Sequence, residues 1–432
     1  MQVFADLEVH SKYARAVSSS MNVPTIAEWA DKKGISLVGS GDFTHPMWFR
    51  ELRSQLAEDS YGVYKLKGGK LKSRFLLTSE VSCIYLHDGK GRRVHILVYL
   101  PGFGEVEKFN NALSSHGANL FSDGRPIIGL TLSQVATLAL EASPKALIIP
   151  AHVWTPWFGF YGSMSGYDSL NEAFDDLVKH IPAVETGLSS DPAMNWKIGE
   201  LTGKSIVSFG DAHSPQKLGR EATVFEIKHL SYDAIYNAFW DKGEDKIAFT
   251  IEFYPEEGKY HYTGHRKCNV VYSPNEARKL GMTCPVCGKS LTLGVASRVE
   301  TLATTDVETI SEIDPLGVRW IKEKKSTRPG YVMLVPLLEI LSESLGLGVA
   351  TQGVTSLYDH LVTRFGSEFD VLLKTKISDL ENVAGTKVSE AVSKVRSGDI
   401  FIKPGFDGIF GKVKIWKEEK IKVKKPNQTP LF

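Results

Sequence analysis

The sequence predicts an α/β chain of several parts: a parallel sheet or barrel with covering helices over residues 1–252, a small zinc-binding segment over 253–300, a mainly helical basic region over 301–423, and a short tail. Three observations carry this. Helical patterns alternate with short β-rich runs through about residue 250, as in a largely parallel sheet with covering helices. Successive strand-like runs there end in, or contain, a histidine or carboxylate. Three of the 4 cysteines, Cys268, Cys284 and Cys287, cluster near the middle of the chain. A length of 432 residues with 42% hydrophobic content suffices for a large core plus smaller units.

The barrel elements follow in order. In Asp6-Leu7-Glu8-Val9-His10, period-two alternation puts Glu8 and His10 on one face, able to share an ion. A helix is expected from Pro24 to Lys33, with proline at its first turn, Ile26, Ala27, Trp29 and Ala30 on its apolar side and Gly34 at its end. Asp42 and His45 follow the run Ser36–Gly39, Glu80 follows Arg74–Thr78, and His95 lies within Val94–Tyr99. His152 follows Ala146–Ile149, Glu185 follows Pro182–Val184, and Asp211 and His213 follow Ser205–Phe209. Taken singly, such a histidine is more often structural and such an aspartate a helix cap. In an α/β barrel, however, C-terminal strand ends converge on one face, so the shared address predicts a metal cluster. Oxygen and imidazole donors suit Zn²⁺ or Mn²⁺. Glu185 is expected to support a ligand, and Asp211 to bind metal and orient the attacking water.

His265-x2-Cys268 and Cys284-x2-Cys287 form the most specific local motif: two tight pairs that can clamp one structural Zn²⁺ tetrahedrally. His261 is an alternative fourth ligand. Cys83 stands alone and reads as a small buried hydrophobe. The formal net charge of +1 gives no compositional sign of nucleic-acid binding. The charge is uneven, though: from Lys403 to Lys425 lysines outnumber Asp407, Glu418 and Glu419. Amphipathic helices are expected at Val371–Leu380 and Val388–Val395, with Val383-Ala384-Gly385-Thr386 between them in a faint likeness to a helix-hairpin-helix unit. There is no apolar run of roughly twenty residues and no signal-peptide pattern. The expectation is a cytoplasmic, nucleoid-associated monomer without membrane attachment.

The strand-end series resembles the PHP family of metal-dependent phosphoesterases, distorted (β/α)7 barrels that hold up to three ions. The resemblance covers about residues 1–250. Glu80 matches that family's bridging glutamate, His95 and His152 the ligands after it, and Asp211-Ala212-His213 its closing motif. The usual opening His-x-His is here Glu8-Val9-His10, and the Asp-His pair is stretched into Asp42-Phe43-Thr44-His45. Arg15 stands near the place of a third-ion ligand, so two ions are expected. The order of barrel, zinc motif and helical region resembles the endonuclease Q family along nearly the whole chain. That resemblance implies a Zn²⁺-containing enzyme, with Mg²⁺ or Mn²⁺ as further candidates, which nicks DNA on the 5′ side of uracil, hypoxanthine, xanthine or an abasic site. Selection of such bases requires turning them out of the duplex. Trp154, Trp157 and Tyr161 are the candidate stacking residues, Phe158 and Phe160 are read as core, and Arg328 and Tyr331 are further candidate DNA contacts. Two other readings stay open: a PHP-type small-molecule phosphatase, or a non-catalytic DNA-binding protein.

The tail, residues 424–432, ends in Gln428-x-x-Leu431-Phe432, which is similar to peptides that dock on the bacterial sliding clamp. Deleting Gln428–Phe432 is expected to abolish co-migration with the clamp on gel filtration while leaving basal activity intact. Unchanged co-migration would refute the assignment.

Overall fold

In the computed structural model, which describes residues 1–417, the fold is mixed α/β. The clamp-like residues Gln428, Leu431 and Phe432 lie outside the described residues. Seven of the strands in the first unit position the site: β1 (Gln2–Asp6), β2 (Leu37–Gly39), β3 (Arg74–His87), β4 (Lys90–Leu100), β5 (Leu147–Pro150), β6 (Ala183–Glu185) and β7 (Ser205–Val207). β1, β2 and β3 are parallel neighbours, β4 is antiparallel to both β3 and β5, and β6 is parallel to β7. Alternate residues of these strands, including Ala5, Leu37, Leu76, Leu97, Ile149, Ala183 and Val207, form a core cluster of their own. The strands therefore wrap round an interior. The opposite faces, among them Val38, Phe75, Val98, Ile148 and Val184, pack in the larger cluster that the helices cover. Period-two burial on both sides is what a doubly covered sheet requires.

The ring is stitched where the ladders stop. Val153 N–H donates to Glu185 O at 3.0 Å, and Val9 pairs with Ala212 in a parallel bridge. On the far side of β1 an antiparallel strand, β8 (Ala222–Glu226), is followed by β9 (Lys246–Glu252).

The first helix, Val23–Lys33, forms as its sequence predicts. Asn22 caps it through Thr25 N–H, and Gly34 ends it at φ 88°, in the left-handed region glycine favours. One strand assignment changes, that of Glu80, while His95 lies within its strand as expected. Glu80 lies inside the 14-residue β3 rather than after it, and His95 sits in mid-strand on β4, which runs against its neighbours.

The stretch after residue 301 does not begin helical. Thr309–Ile313, Arg319–Glu323 and Gly330–Met333 are strands that extend the main sheet, the last pairing parallel to β9. Helices begin only at Leu337 and end at Ser397. The helix expected over 371–380 is broken between Leu373 and Ile377. The buried Arg396 guanidinium collects carbonyls around this break, those of Val371, Leu372 and Thr375, and also that of Leu316. A final hairpin, Phe401–Lys403 with Lys412–Lys414, folds back onto the zinc-binding segment, where Tyr262 N–H donates to Gly405 O at 2.9 Å.

The helical region is fixed to the first unit by a buried ion pair, Lys33 Nζ to Glu368 Oε2 at 2.6 Å, both side chains at most 2% exposed. Leu337 N–H and the Tyr358 hydroxyl donate to the same carboxylate, and Phe369 stacks on Phe4 at 5.3 Å. Removing one partner of a buried pair strands the other charge and costs about 3–5 kcal/mol. Lys33→Ala is therefore expected to lower the midpoint of chemical denaturation markedly. An unchanged midpoint would show that the junction does not depend on the pair.

Candidate metal centre

Residues far apart in sequence meet at one end of the ring. The Val9–Ala212 bridge, with His10 N–H on Ala212 O at 3.1 Å and Ala212 N–H on Glu8 O at 3.2 Å, sets the first motif beside the last. Two groups of side chains then converge, His10 with Asp211 and His213, and Glu80 with His95 and His152. Within each, the ligand atoms lie no more than 4.8 Å apart. Glu80 joins them. Its Oε1 lies 2.5 Å from His95 Nδ1 and 3.1 Å from His152 Nε2, while Oε2 lies 3.1 Å from His10 Nε2. His10 Nε2 is also 3.1 Å from Asp211 Oδ1.

Burial makes the arrangement electrostatically demanding. Glu8, His10, Glu80, His95, His152 and Glu185 are all buried. Both oxygens of Glu8, Oε1 of Glu185, Oδ1 of Asp211 and Nε2 of His10 lack a hydrogen-bond partner of good geometry. Burial, then the charges of Glu185, Asp211 and Glu80, push the Glu8 carboxyl well above its ordinary range, and burial raises Glu185 to about 7. Glu80 goes the other way. Burial would raise it, but Arg125 and the imidazoles of His95, His10 and His152 hold it well below its usual value. Burial pushes His95 down to about 4, which leaves a neutral imidazole able to ligate at neutral pH. Unpartnered buried carboxylates grouped with imidazoles fit divalent cations, and the donor set fits Zn²⁺ or Mn²⁺.

Backbone strain collects at the same place. Asp42, His152 and Asp211 adopt φ of 46°, 30° and 44°, left-handed values that are uncommon for non-glycine residues. Gly187 makes room for one of them, since a Cβ there would lie 2.3 Å from the His152 Cβ. Glu185 acts in support, its Oε2 accepting from His152 N–H at 2.7 Å.

Of the stretched pair, neither member joins a ligand group. Asp42 Oδ1 is 3.0 Å from His10 Nδ1 and Oδ2 accepts from the Ser11 amide and hydroxyl, so Asp42 orients His10 and leaves Nε2 for metal. His45 stacks on Tyr13 at 4.5 Å instead. Arg15 is exposed and lies beside Asp123, outside both ligand groups.

The centre forms the floor of a cavity of about 490 Å³. Its walls come from the barrel (Arg125, Trp157, Phe158), from the zinc-binding segment (Tyr260, His261) and, through Phe410, from the final hairpin. The model of the MJ0043 C-terminal domain family matches residues 336–399, the helical region. The uncharacterized protein YqxK of Bacillus subtilis is 30% identical over 427 residues, 96% of this chain and 99% of that one. The uncharacterized protein MJ0043 of Methanocaldococcus jannaschii is 33% identical over 275 residues, 62% of this chain, which spans only 32% of that relative's length. The crystal structure of the lesion-specific endonuclease PfuEndoQ from Pyrococcus furiosus superposes with a TM-score of 0.81 at 34% identity, covering 97% of this chain and 98% of that one. The chain belongs to the endonuclease Q family. A second endonuclease Q structure, also at TM-score 0.81 and 34% identity and covering 98% of this chain, holds a 27-mer duplex substrate with an abasic lesion at its active site.

Against this family frame, several expected DNA contacts move. Trp154 and Tyr161 are core residues whose polar ends are satisfied by Asn195 and Glu200. Tyr331 is buried, its hydroxyl near Asp191 and its ring against Trp196. Arg328 bonds Thr202 and pairs with Glu323, in a cavity shared with Ser205 at the start of β7, the opposite end from Asp211. Trp157 does face the cavity, 36% exposed. Phe160 is core as expected, but Phe158 is not. It lines the cavity with its ring 4.6 Å from that of His95, at φ 69°. Arg125, Tyr260 and Phe410 were not foreseen, because none belongs to a strand-end or metal-spacing pattern.

The zinc motif is assembled. His265, Cys268, Cys284 and Cys287 bring their ligand atoms within 4.8 Å of one another, with His265 Nδ1 3.4 Å from Cys287 Sγ. Each pair sits on a tight turn: Asn269 at φ 52° follows Cys268, and Gly288 at φ 72° follows Cys287. His261 is no part of this group. It is buried at the cavity wall with Nδ1 unpartnered. Cys287→Ser is expected to lower the zinc content by one ion per chain, measured by elemental analysis, without emptying the barrel centre. Retention of full zinc would refute the four-residue site.

Proposed function

We propose that this chain is a metal-dependent DNA repair endonuclease on a PHP-type barrel, which hydrolyses the phosphodiester 5′ of a deaminated base (hypoxanthine, uracil or xanthine) or of an abasic site. The observation that carries the reading is the pair of ligand groups joined by Glu80 at the floor of a cavity with an exposed aromatic wall. The family membership supports it, since the relatives of known structure are a lesion-specific endonuclease and its complex with lesion DNA.

Ions bound here would supply water activation near neutral pH and charge neutralisation at the phosphoryl group. The residues that would hold them are His10, Asp211 and His213 on one side and Glu80, His95 and His152 on the other, with the unpartnered Glu8 carboxylate between its acidic neighbours. Asp42 fixes the tautomer and orientation of His10, and Thr155 Oγ1, 3.1 Å from His152 Nδ1, does the same for His152. Asp211 lines the cavity with its side chain 29% exposed and sets Oδ1 against His10 Nε2, a placement from which it could bind metal and orient a water for attack. Trp157 and Phe158 offer faces on which an extruded base can stack, each such contact contributing about 1–3 kcal/mol. The bases are read in a site walled partly by the zinc-binding segment, which gives that segment a role in recognition as well as stability. Among the described residues no helix is long and apolar enough to cross a membrane. The tail would recruit the enzyme to the sliding clamp.

Purified, metal-loaded protein is expected to nick a duplex carrying one deoxyinosine, or one abasic site, on its 5′ side. Asp211→Ala is expected to reduce that rate at least about 10³-fold, removing a ligand and the water-orienting oxygen together. Lesion duplex left intact by fully metallated protein would overturn the proposal.

A further inference from the structure

Arg125 reaches the centre from a loop, residues 117–126, that carries none of the strand-end motifs. The loop is firmly anchored. Arg125 N–H donates to Asp123 Oδ1 at 3.1 Å, Gly124 N–H to Tyr13 O at 3.1 Å, and Ser82 N–H to Pro126 O at 3.0 Å. Gly124 passes so near the centre that a Cβ there would lie 2.4 Å from Asp42 Oδ2. From this platform the guanidinium extends to Glu80, with Nη1 donating to Oε2 at 2.9 Å. Its side chain is 26% exposed and lines the same cavity as His95, His152, Asp211 and His213.

As a structural ion pair this contact is incomplete. Glu80 is already faced by three imidazoles, and Arg125 uses one donor of five. No other side chain or carbonyl among the described residues takes Nε or Nη2. A planar fork with an open edge, held rigidly beside two candidate ion sites, matches the geometry of a phosphate oxyanion. We propose that Arg125 is a substrate-binding residue whose open edge grips a non-bridging oxygen of the scissile phosphate. The inference rests on the phosphodiesterase reading above and extends it to a residue outside the ligand set.

The test compares the full chain with its Arg125→Ala and Arg125→Lys variants, each assayed for metal content, for calorimetric binding of inorganic phosphate and for nicking of an abasic duplex. With metal content unchanged, Arg125→Ala is expected to weaken phosphate binding at least about 10-fold and to lower kcat/KM by about 10²–10³. Arg125→Lys, which keeps the charge but loses the fork, is expected to fall between. Phosphate binding equal to that of the parent, or a fall in nicking that merely tracks lost metal, would overturn the assignment and leave Arg125 as a counter-charge to Glu80. If the parent binds phosphate through Arg125 yet never nicks lesion DNA, the nuclease reading fails and the Arg125 contact stands.

Discussion

Negative charge buried at one end of the barrel is the constraint on which the remaining architecture turns. Glu8, Glu80, Glu185 and Asp211 converge there, several of their oxygens without a partner. Taking even one carboxylate out of water costs several kcal/mol unless it is paired. Protein cations answer only part of the demand: Arg125 and the imidazoles satisfy Glu80, while Glu8 and Glu185 are pushed toward their neutral forms. Divalent ions would satisfy the whole set, and the geometry is arranged as if to wait for them.

The scaffold serves that arrangement at several levels. Asp42, His152 and Asp211 hold left-handed backbone just past the ends of their strands, where the chain turns at the candidate centre. Supporting carboxylates at Asp42 and Glu185 hold His10 by its ring and His152 by its amide, so the metal-facing nitrogens are set before any ion arrives. Elements remote in sequence then close a cavity over the centre. The segment that carries the His/Cys group contributes Tyr260 and His261 to one wall, and the last hairpin adds Phe410. The floor of the cavity and its wall thus come from different parts of one chain.

Much of this was legible in the sequence, for physical reasons. Strand ends in an α/β barrel share an address, so a repeated run of apolar residues followed by histidine or carboxylate survives as a one-dimensional signal. The zinc spacing is similarly local. What escaped depends on contacts between distant residues. Trp154 and Tyr161 looked available for stacking until Asn195 and Glu200, some forty positions on, satisfied their polar ends inside the core. The choice within Asp42 and His45 depended on Ser11 and Tyr13, and the break after Leu373 on Arg396. Arg125 sits in a loop without periodicity, and only the fold shows that it reaches Glu80.

The number of bound ions decides whether the barrel end is a metal centre. Elemental analysis of purified full chain, saturated with Zn²⁺ or Mn²⁺ and then desalted, is predicted to give about three ions per chain, one for each ligand group. Glu80→Gln should leave about one, at the cysteine site, because both barrel groups share that carboxylate. One ion per chain in the parent protein, removed by mutating the cysteines, would contradict the barrel centre and with it the proposed chemistry.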